Sequence, residues 1–195
     1  MTFEALKKYR FILASKSPRR QFLLKDLGLD FEVHTKDVDE SFPEQLQAAE
    51  IPLYLCEKKA AAFDGELQDD TIVITADTIV WVNGQVLNKP ENYDDAVRML
   101  NLLSGKMHEV YTGVCIRSKN KTKSFYALTK VYFKTLSDYE IDYYIRNYNP
   151  YDKAGAYGAQ EWIGYIAVEK IEGSYFNVMG LPLRELYEEL LKFES

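Results

Sequence analysis

The sequence predicts an α/β protein with a mixed central β-sheet flanked by helices. Apolar runs of strand length alternate along the chain with segments whose apolar residues recur at helical spacing. Two long strands near the middle are separated only by a polar turn, which favours an antiparallel hairpin. Because alternating strands and helices favour parallel pairing, a hairpin among them makes the predicted sheet mixed.

A strand, a loop and a helix are predicted at the start of the fold. The run Arg10–Ser15 is typical of a buried strand, and Gln21–Leu27 has helical apolar spacing and stops at Gly28. Pro52 suits the first turn of a further helix, which we expect to run through Phe63. Strand and helix thus alternate from the beginning.

A central strand and a tight hairpin are predicted next. The continuous apolar and β-branched run Thr71–Ala76 is typical of a strand buried within a sheet. Ile79–Val82 and Gln85–Leu87 flank Asn83 and Gly84, the residue types that adopt the positive φ a two-residue hairpin turn needs. We therefore expect an antiparallel hairpin soon after the central strand.

The second half of the chain is predicted to hold three helices and the two long strands. Ser137 is a good N-cap, and Glu140 three residues later completes a capping box. The predicted helices run from Asn92 or Tyr93 to Leu103, over Asp138–Asn147 and over Leu183–Phe193, and the strands are Glu109–Arg117 and Phe125–Phe133.

Composition narrows the class of protein. With 195 residues and 47% hydrophobic content, the chain is long enough for one well-buried core, so we expect a single domain over residues 1–195. A formal net charge of -6 argues against a nucleic-acid binder. No apolar stretch approaches the roughly 20 residues of a membrane span, and Phe11–Ala14 is too short for a signal-peptide core. We expect a cytoplasmic protein with no membrane partner.

The cysteines and histidines do not suggest a transition-metal centre. Cys56 and Cys115 lie far apart without a C-x-x-C pairing, which argues against both a disulfide framework and a thiolate zinc site. His34 and His108 are likewise isolated. Oxygen ligands and a hard divalent cation are the more plausible chemistry.

A first candidate site lies where the first strand gives way to the first helix, in the segment Ser15–Arg20. Ser17 is a natural N-cap and Pro18 suits the first helical position, so backbone N–H groups at the helix start can face an anion. Arg19 and Arg20 add guanidinium groups that match phosphate oxygens. The alternative is an ordinary capped helix with two solvated arginines.

Carboxylates form a second candidate site. Asp77 comes at the end of the apolar run before it, where open α/β sheets tend to place ligands, and a carboxylate there can hold a metal or accept a proton. It can equally cap a turn through Thr78. The acidic segment Asp37–Glu40 supplies further carboxylates, although such a run is more often a solvated loop.

Three lysines and one side-chain amide complete the set of candidate site residues. Lys59, Lys89 and Lys153 would each be a surface charge if taken singly. The small residues and two glycines of Lys153–Gln160 allow close approach to a ligand, and Gln160 offers both an amide donor and an acceptor. Cations for phosphates, carboxylates for a cation and an amide for a base edge together indicate a nucleotide site.

Several of these segments, in this order and spacing, resemble the Maf family of nucleoside triphosphate pyrophosphatases over nearly the whole chain. The matching motifs are Ser15-x-Ser17-Pro18-Arg19-Arg20, Ala76-Asp77-Thr78, Asn88-Lys89-Pro90, Lys153-Ala154-Gly155-Ala156-Tyr157-Gly158, Asp39-Glu40, Glu57-Lys58-Lys59-Ala60, Leu103-Ser104-Gly105, Gly173-Ser174-Tyr175 and Gly180-Leu181-Pro182. Glu161 stands where a glycine is common in that family.

The resemblance implies a fold akin to the inosine triphosphate pyrophosphatases, a homodimer, and an active site in a cleft beside the sheet. It implies cleavage of a nucleoside triphosphate between the α and β phosphates, giving a monophosphate and pyrophosphate. Family members are also described as inhibitors of septum formation.

Carried over by position, the resemblance assigns roles to individual residues. Asp77 matches the catalytic acid-base residue and Glu40 the second acidic residue, and both would hold Mg²⁺ or Mn²⁺. Arg19, Thr78 and Gln160 match the set that marks action on dTTP and UTP. The predicted catalytic residues are Asp77, Glu40, Lys59 and Lys89, and the predicted substrate-binding residues are Ser15, Ser17, Arg19, Arg20, Thr78, Lys153 and Gln160.

Chemistry supports the pyrimidine assignment, since the Gln160 amide can pair with N3–H and a carbonyl of uracil or thymine, a pattern that cytosine does not present. A role in clearing non-standard nucleotides fits the same activity. Two alternatives stay open at the level of the sequence. One is a pyrophosphatase for modified purine nucleotides, and the other is a nucleotide-binding regulator of cell division.

Overall fold

The computed structural model describes residues 2–193, which form two compact units. The first unit contains the described residues up to Asp77, Thr112–Ala127 and the described residues from Gly180 onward. The second contains Thr78–Tyr111 and Leu128–Met179. The prediction of a single domain over residues 1–195 stays a prediction.

Within residues 2–193, seven strands form one sheet in the order β2-β1-β3-β5-β6-β7, with β4 paired to β3. Strand β1 is parallel to β2 and β3, whereas the pairs β3–β4 and β6–β7 are antiparallel. The sheet is therefore mixed, as the sequence predicts. The strands are β1 Arg10–Leu13, β2 Phe31–Val33, β3 Thr71–Val82, β4 Gln85–Leu87, β5 Met107–Arg117, β6 Thr122–Phe133 and β7 Val168–Glu172.

In the first unit, helix α3 packs its apolar face against the sheet. Its buried residues recur at helical spacing, and the Cys56 and Ala60 side chains pack with Cys115 of β5. Gly113 of β5 allows this approach, because a Cβ atom there would lie 2.5 Å from the Pro52 carbonyl carbon. The helices of this unit are α1 Phe3–Leu6, α2 Pro18–Asp26, α3 Glu50–Ala61 and α8 Leu183–Lys192.

In the second unit, helices α4 and α5 bury apolar residues against β3, β4, β5 and β6. The predicted capping box is confirmed, since the Ser137 side chain accepts from the Glu140 N–H and the Glu140 carboxylate accepts from the Ser137 N–H. The helices are α4 Tyr93–Leu103, α5 Asp138–Tyr148, α6 Trp162–Ala167 and α7 Tyr175–Val178, with short 3₁₀ helices at Pro150–Asp152 and Ala154–Ala156.

Strand β3 corrects one sequence prediction. The predicted strands Thr71–Ala76 and Ile79–Val82 are one continuous strand of 12 residues, so Asp77 lies in its middle and not at a strand end. The physical reason is that Asp77 is followed by β-branched Thr78 and Ile79, which keep the backbone extended. The hairpin prediction is confirmed, because β3 and β4 pair around a turn in which Asn83 has positive φ.

No helix within residues 2–193 is long and apolar enough to cross a membrane.

Candidate functional site

Strand β3 and helix α3 bring Asp77 and Lys59 into direct contact. On β3, Thr75 and Asp77 are two residues apart and share one face of the strand. The Thr75 hydroxyl donates to the Cys56 carbonyl at 2.6 Å, and the Lys59 ammonium donates to the Asp77 carboxylate at 2.5 Å. The first contact sets the register between strand and helix, and the second places the ion pair one turn further along.

The ion pair is largely shielded from water and includes a second carboxylate. The side chains of Asp77 and Lys59 are 14% and 17% exposed, and the Lys59 ammonium also lies 2.8 Å from the Glu40 carboxylate. Glu40 is 52% exposed. One ammonium thus holds two carboxylates together, one inside the fold and one facing solvent.

The residues next to Glu40 fix its position. The Asp39 carboxylate accepts from the Ser41 hydroxyl and, at 3.0 Å, from the Ser41 N–H. The Lys58 ammonium donates to the same carboxylate at 3.3 Å and to the Ser41 carbonyl at 3.1 Å. The hydrogen bond from the Ser41 hydroxyl, with help from Lys58, lowers the pKa of Asp39 to about 2. Asp39 is therefore ionised at neutral pH and ties the acidic loop to α3.

Arg20 belongs to the same cluster. Its Nε donates to the Gly180 carbonyl at 2.8 Å, and one terminal nitrogen lies 3.5 Å from the Ser15 hydroxyl. Burial lowers the pKa of the Arg20 guanidinium, while the nearby charges of Asp77 and Glu40 oppose that shift. The first unit thus gathers two carboxylates, an ammonium and a guanidinium.

The start of α2 differs in one respect from the sequence prediction. Pro18 is the first helical residue and Ser17 occupies the N-cap, as expected, but within the described chain the Ser17 side chain makes no capping hydrogen bond. The Ser17 N–H instead donates to the Ser15 hydroxyl at 3.2 Å. Ser15 is buried and oriented by this turn, and Arg19 follows Pro18 in the first turn of α2.

The residues present fit a hard divalent cation with few protein ligands. Asp77 and Glu40 converge on one ammonium, so their oxygens can reach one cation. Among residues 2–193, no group of three or more His, Cys, Asp or Glu side chains is arranged to hold a metal. Mg²⁺ suits this arrangement, because it is commonly held by one or two carboxylates with water and phosphate oxygens completing its shell.

In the second unit, Lys153 is enclosed by carboxylates. Its side chain is 8% exposed, and its ammonium lies 2.7 Å from the Asp152 carboxylate and 3.1 Å from the Glu161 carboxylate. The Tyr144 hydroxyl donates to the other Glu161 oxygen and accepts from the Gly158 N–H at 3.0 Å. Burial, followed by the hydrogen bond to Glu161, raises the pKa of Tyr144 well above its ordinary value.

Gln160, Lys89 and Thr78 are the remaining predicted site residues of this unit. Gln160 is half-buried, and its carbonyl accepts from the Tyr165 hydroxyl at 2.8 Å. The Gly155 N–H donates to the Asn88 carbonyl at 3.0 Å, which joins the motif containing exposed Lys89 to this segment. Thr78 is half-buried on β3.

Four residues that organise these clusters are not among the site residues predicted from the sequence. Asp39 and Lys58 hold the Glu40 loop, and Tyr144 and Glu161 hold the segment after Lys153. The Asp-x-Ser spacing in Asp39–Ser41 was an available signal, because an aspartate commonly hydrogen-bonds the backbone two residues later. No local pattern connects Tyr144 to Glu161, since they lie 17 positions apart in the sequence.

Comparison with known proteins shows which protein family the chain matches. The Maf-like protein family model matches residues 10–193. The chain is 57% identical to the dTTP/UTP pyrophosphatase of Phocaeicola vulgatus and 55% identical to that of Flavobacterium johnsoniae, in each case over 97% of this chain and 98% of the relative. It is 53% identical to the dTTP/UTP pyrophosphatase of Parabacteroides distasonis, over 97% of this chain and 99% of that one.

A solved structure shares the fold. The Ham1 protein of Staphylococcus aureus aligns with a TM-score of 0.54 and 16% identity, covering 92% of this chain and 99% of that protein. This likeness supports the predicted α/β fold with a mixed central sheet, and the family match agrees with the motifs found in the sequence. The chain belongs to the Maf-like protein family.

Proposed function

We propose that this protein hydrolyses dTTP and UTP to the nucleoside monophosphate and pyrophosphate. The observation that carries the proposal is the cluster of Asp77, Lys59 and Glu40 beside Arg20. It combines a proton acceptor with cations suited to phosphate groups. The relatives named dTTP/UTP pyrophosphatase support the substrate class.

Asp77 serves as the general base in the proposed mechanism. Its carboxylate orients a water molecule for in-line attack on the α phosphorus and takes up the proton that this water loses. The bond from the α phosphorus to the bridging oxygen breaks, and pyrophosphate leaves. Lys59 fixes the Asp77 carboxylate through its 2.5 Å contact, so the base does not need to reorient before the reaction.

Cations of the protein stabilise the charge of the phosphate chain. Arg20 is held by the Gly180 carbonyl, and the buried Ser15 hydroxyl lies beside it. Arg19 and Lys89 are assigned to the same task by their residue type and motif position. Preorganised positive charges of this kind favour a transition state in which negative charge moves to the leaving oxygen.

A divalent cation, Mg²⁺ or Mn²⁺, is part of the proposal, with Asp77 and Glu40 as its protein ligands. When bound, such a cation polarises phosphate oxygens and neutralises their charge. Glu40 is suited to this role because half of its side chain faces solvent. We expect product formation to stop when the cation is removed by EDTA and to return when Mg²⁺ or Mn²⁺ is added.

Recognition of the nucleotide base is assigned to Gln160, Thr78 and Arg19, the three residues that match the dTTP and UTP set. The Gln160 amide presents a donor and an acceptor that complement uracil and thymine.

A homodimer and a cytoplasmic location also belong to the proposal. Sedimentation of the purified protein tests whether it is a dimer.

Product analysis tests the function directly. The protein is incubated with dTTP, UTP, CTP and the purine triphosphates, with and without Mg²⁺ or Mn²⁺, and products are separated by chromatography. Metal-dependent monophosphate and pyrophosphate from dTTP and UTP is the expected result. Diphosphate and orthophosphate would overturn the assigned bond, and nucleotide binding without turnover would favour a regulatory binding protein.

A further inference from the structure

Lys153 is held between two carboxylates. Its ammonium contacts those of Asp152 and Glu161, and its side chain is nine-tenths buried. These contacts make Lys153 an internal counter-charge that holds Glu161 in place.

Glu161 is connected to the backbone at Gly158 through the Tyr144 hydroxyl. Its second oxygen accepts from the Tyr144 hydroxyl, and the same hydroxyl accepts from the Gly158 N–H. Tyr144 is fully buried, so the hydroxyl has a fixed position. A continuous chain of contacts thus runs from Lys153 through Glu161 and Tyr144 to the backbone at Gly158.

The side chains of Gln160 and Glu161 close over Gly158. A Cβ atom at Gly158 would lie 3.0 Å from the Gln160 amide nitrogen and 2.9 Å from the Glu161 carboxylate carbon. The Gln160 amide, which is assigned to recognition of the nucleotide base, therefore lies next to the Glu161 carboxylate. A shift of Glu161 would change the orientation available to that amide.

We propose that Glu161, held in place by Lys153 and Tyr144, is a positioning residue for base selection that acts on the neighbouring Gln160 amide. The inference deepens the proposed function and rests on it. It gives a role to a residue that departs from the glycine common at this position in the family. It also predicts that selectivity for uracil depends on residues that do not contact the nucleotide.

The Glu161→Gln variant tests this proposal. The substituted amide keeps an oxygen that accepts from Tyr144 but loses the ion pair with Lys153. We expect the ratio of kcat/KM for UTP over CTP to fall about tenfold, equivalent to one hydrogen bond of the base. The KM for UTP should rise while kcat stays within about a factor of two, because ground-state and transition-state binding of the base are lost together.

Glu140→Gln is the matched control. Glu140 is 23% exposed and pairs with Lys134 at 2.6 Å, whereas Glu161 is 21% exposed and pairs with Lys153 at 3.1 Å. Both variants remove one carboxylate from a lysine within the second unit. Glu140→Gln should leave the ratio of UTP to CTP unchanged, whatever it does to the melting temperature.

Tyr144→Phe provides an independent variant. It removes the hydroxyl that joins Glu161 to the Gly158 N–H, and it should lower the same ratio. Combining it with Glu161→Gln should lower the ratio no further than the larger single effect, because both interrupt one chain of contacts. An unchanged ratio in Glu161→Gln would overturn the proposal, whatever Tyr144→Phe does.

The proposed function and the positioning role of Glu161 can be refuted separately. If the wild-type protein releases no monophosphate from UTP, the proposed function fails. If the wild type turns over UTP selectively and Glu161→Gln retains that selectivity in full, only the positioning role of Glu161 fails.

Discussion

Replacing Asp77 with asparagine separates the chemistry of the cluster from its contribution to the fold. The amide is nearly the same size as the carboxylate, and its oxygen can still accept from the Lys59 ammonium. It cannot take a proton from water and is a poor ligand for Mg²⁺. If Asp77 is the general base, we expect kcat to fall by a factor of about 10² to 10⁴.

The same substitution should cost little stability. Removing one partner from a fully buried ion pair typically costs about 3–5 kcal/mol. Lys59 retains the Glu40 carboxylate at 2.8 Å, and the amide oxygen replaces part of the lost contact. We therefore expect a loss of about 1–2 kcal/mol. For a chain of this length that lowers the melting temperature by about 2–8 °C.

Thermal melting and initial rates with dTTP and UTP measure the two effects on one preparation. Asp64→Asn is the control, because Asp64 pairs with Arg117 at 2.6 Å in the same unit. That variant should keep wild-type turnover. A folded Asp77→Asn protein with more than about a tenth of the wild-type kcat would refute the role of Asp77 as the base.

Three further predictions concern packing, pH and phosphate binding. Gly113→Ala should destabilise the protein by at least about 2 kcal/mol in denaturant unfolding, because the new methyl group would meet the backbone at Pro52; a loss below about 0.5 kcal/mol would contradict the close packing. Burial lowers the pKa of His108 to about 3, below its ordinary 6.5, so the neutral form is favoured in the fold. Stability should fall as pH drops from about 6.5 towards 3, by up to about 1.4 kcal/mol per pH unit, and His108→Gln should flatten that slope. Arg20→Lys should lower kcat/KM by about tenfold or more, since an ammonium cannot both replace the donor to the Gly180 carbonyl and present a planar pair of donors to phosphate, and full activity would argue against that role.

Local signals predicted the elements whose formation depends on nearby residues. The hairpin at Asn83 and Gly84 needs positive φ, and the capping box needs Ser137 and Glu140 three residues apart. Both were predicted because the interacting residues are neighbours in sequence. The short strand β2 was not predicted, since three residues acquire their structure by pairing with β1 and carry little preference of their own.

The error at Asp77 has a similar origin. A polar residue after an apolar run was interpreted as the end of a strand, but strand ends depend on the neighbouring strands. Strand β3 pairs with β1 before Asp77 and with β4 after it, so pairing partners on both sides keep the chain extended. The residue type was predicted from the sequence, and its place within the sheet was not.

The contacts within the cluster of Asp77, Lys59 and Glu40 could not be predicted from the sequence. The motifs supplied Lys59, Glu40 and Asp77 as separate candidates, and the sequence did not show that one ammonium contacts both carboxylates. For Lys153 the motif places a lysine beside a predicted ligand segment, and it does not show the carboxylates that enclose that lysine. Its predicted role in substrate binding stays a prediction.

Consecutive residues of the acidic loop and of α3 have different tasks despite similar chemistry. Asp39 pairs with Lys58 at the surface, where its side chain is 71% exposed, and solvent screening keeps such a pair from adding much stability. Glu40 pairs with Lys59, which is mostly buried and shared with Asp77. Both pairs join the acidic loop to α3, one at the surface and the other beside the partly buried Asp77 carboxylate. An acidic run that resembles an ordinary solvated loop therefore contains one residue whose ion pair is mostly exposed and another that reaches the inner charge cluster.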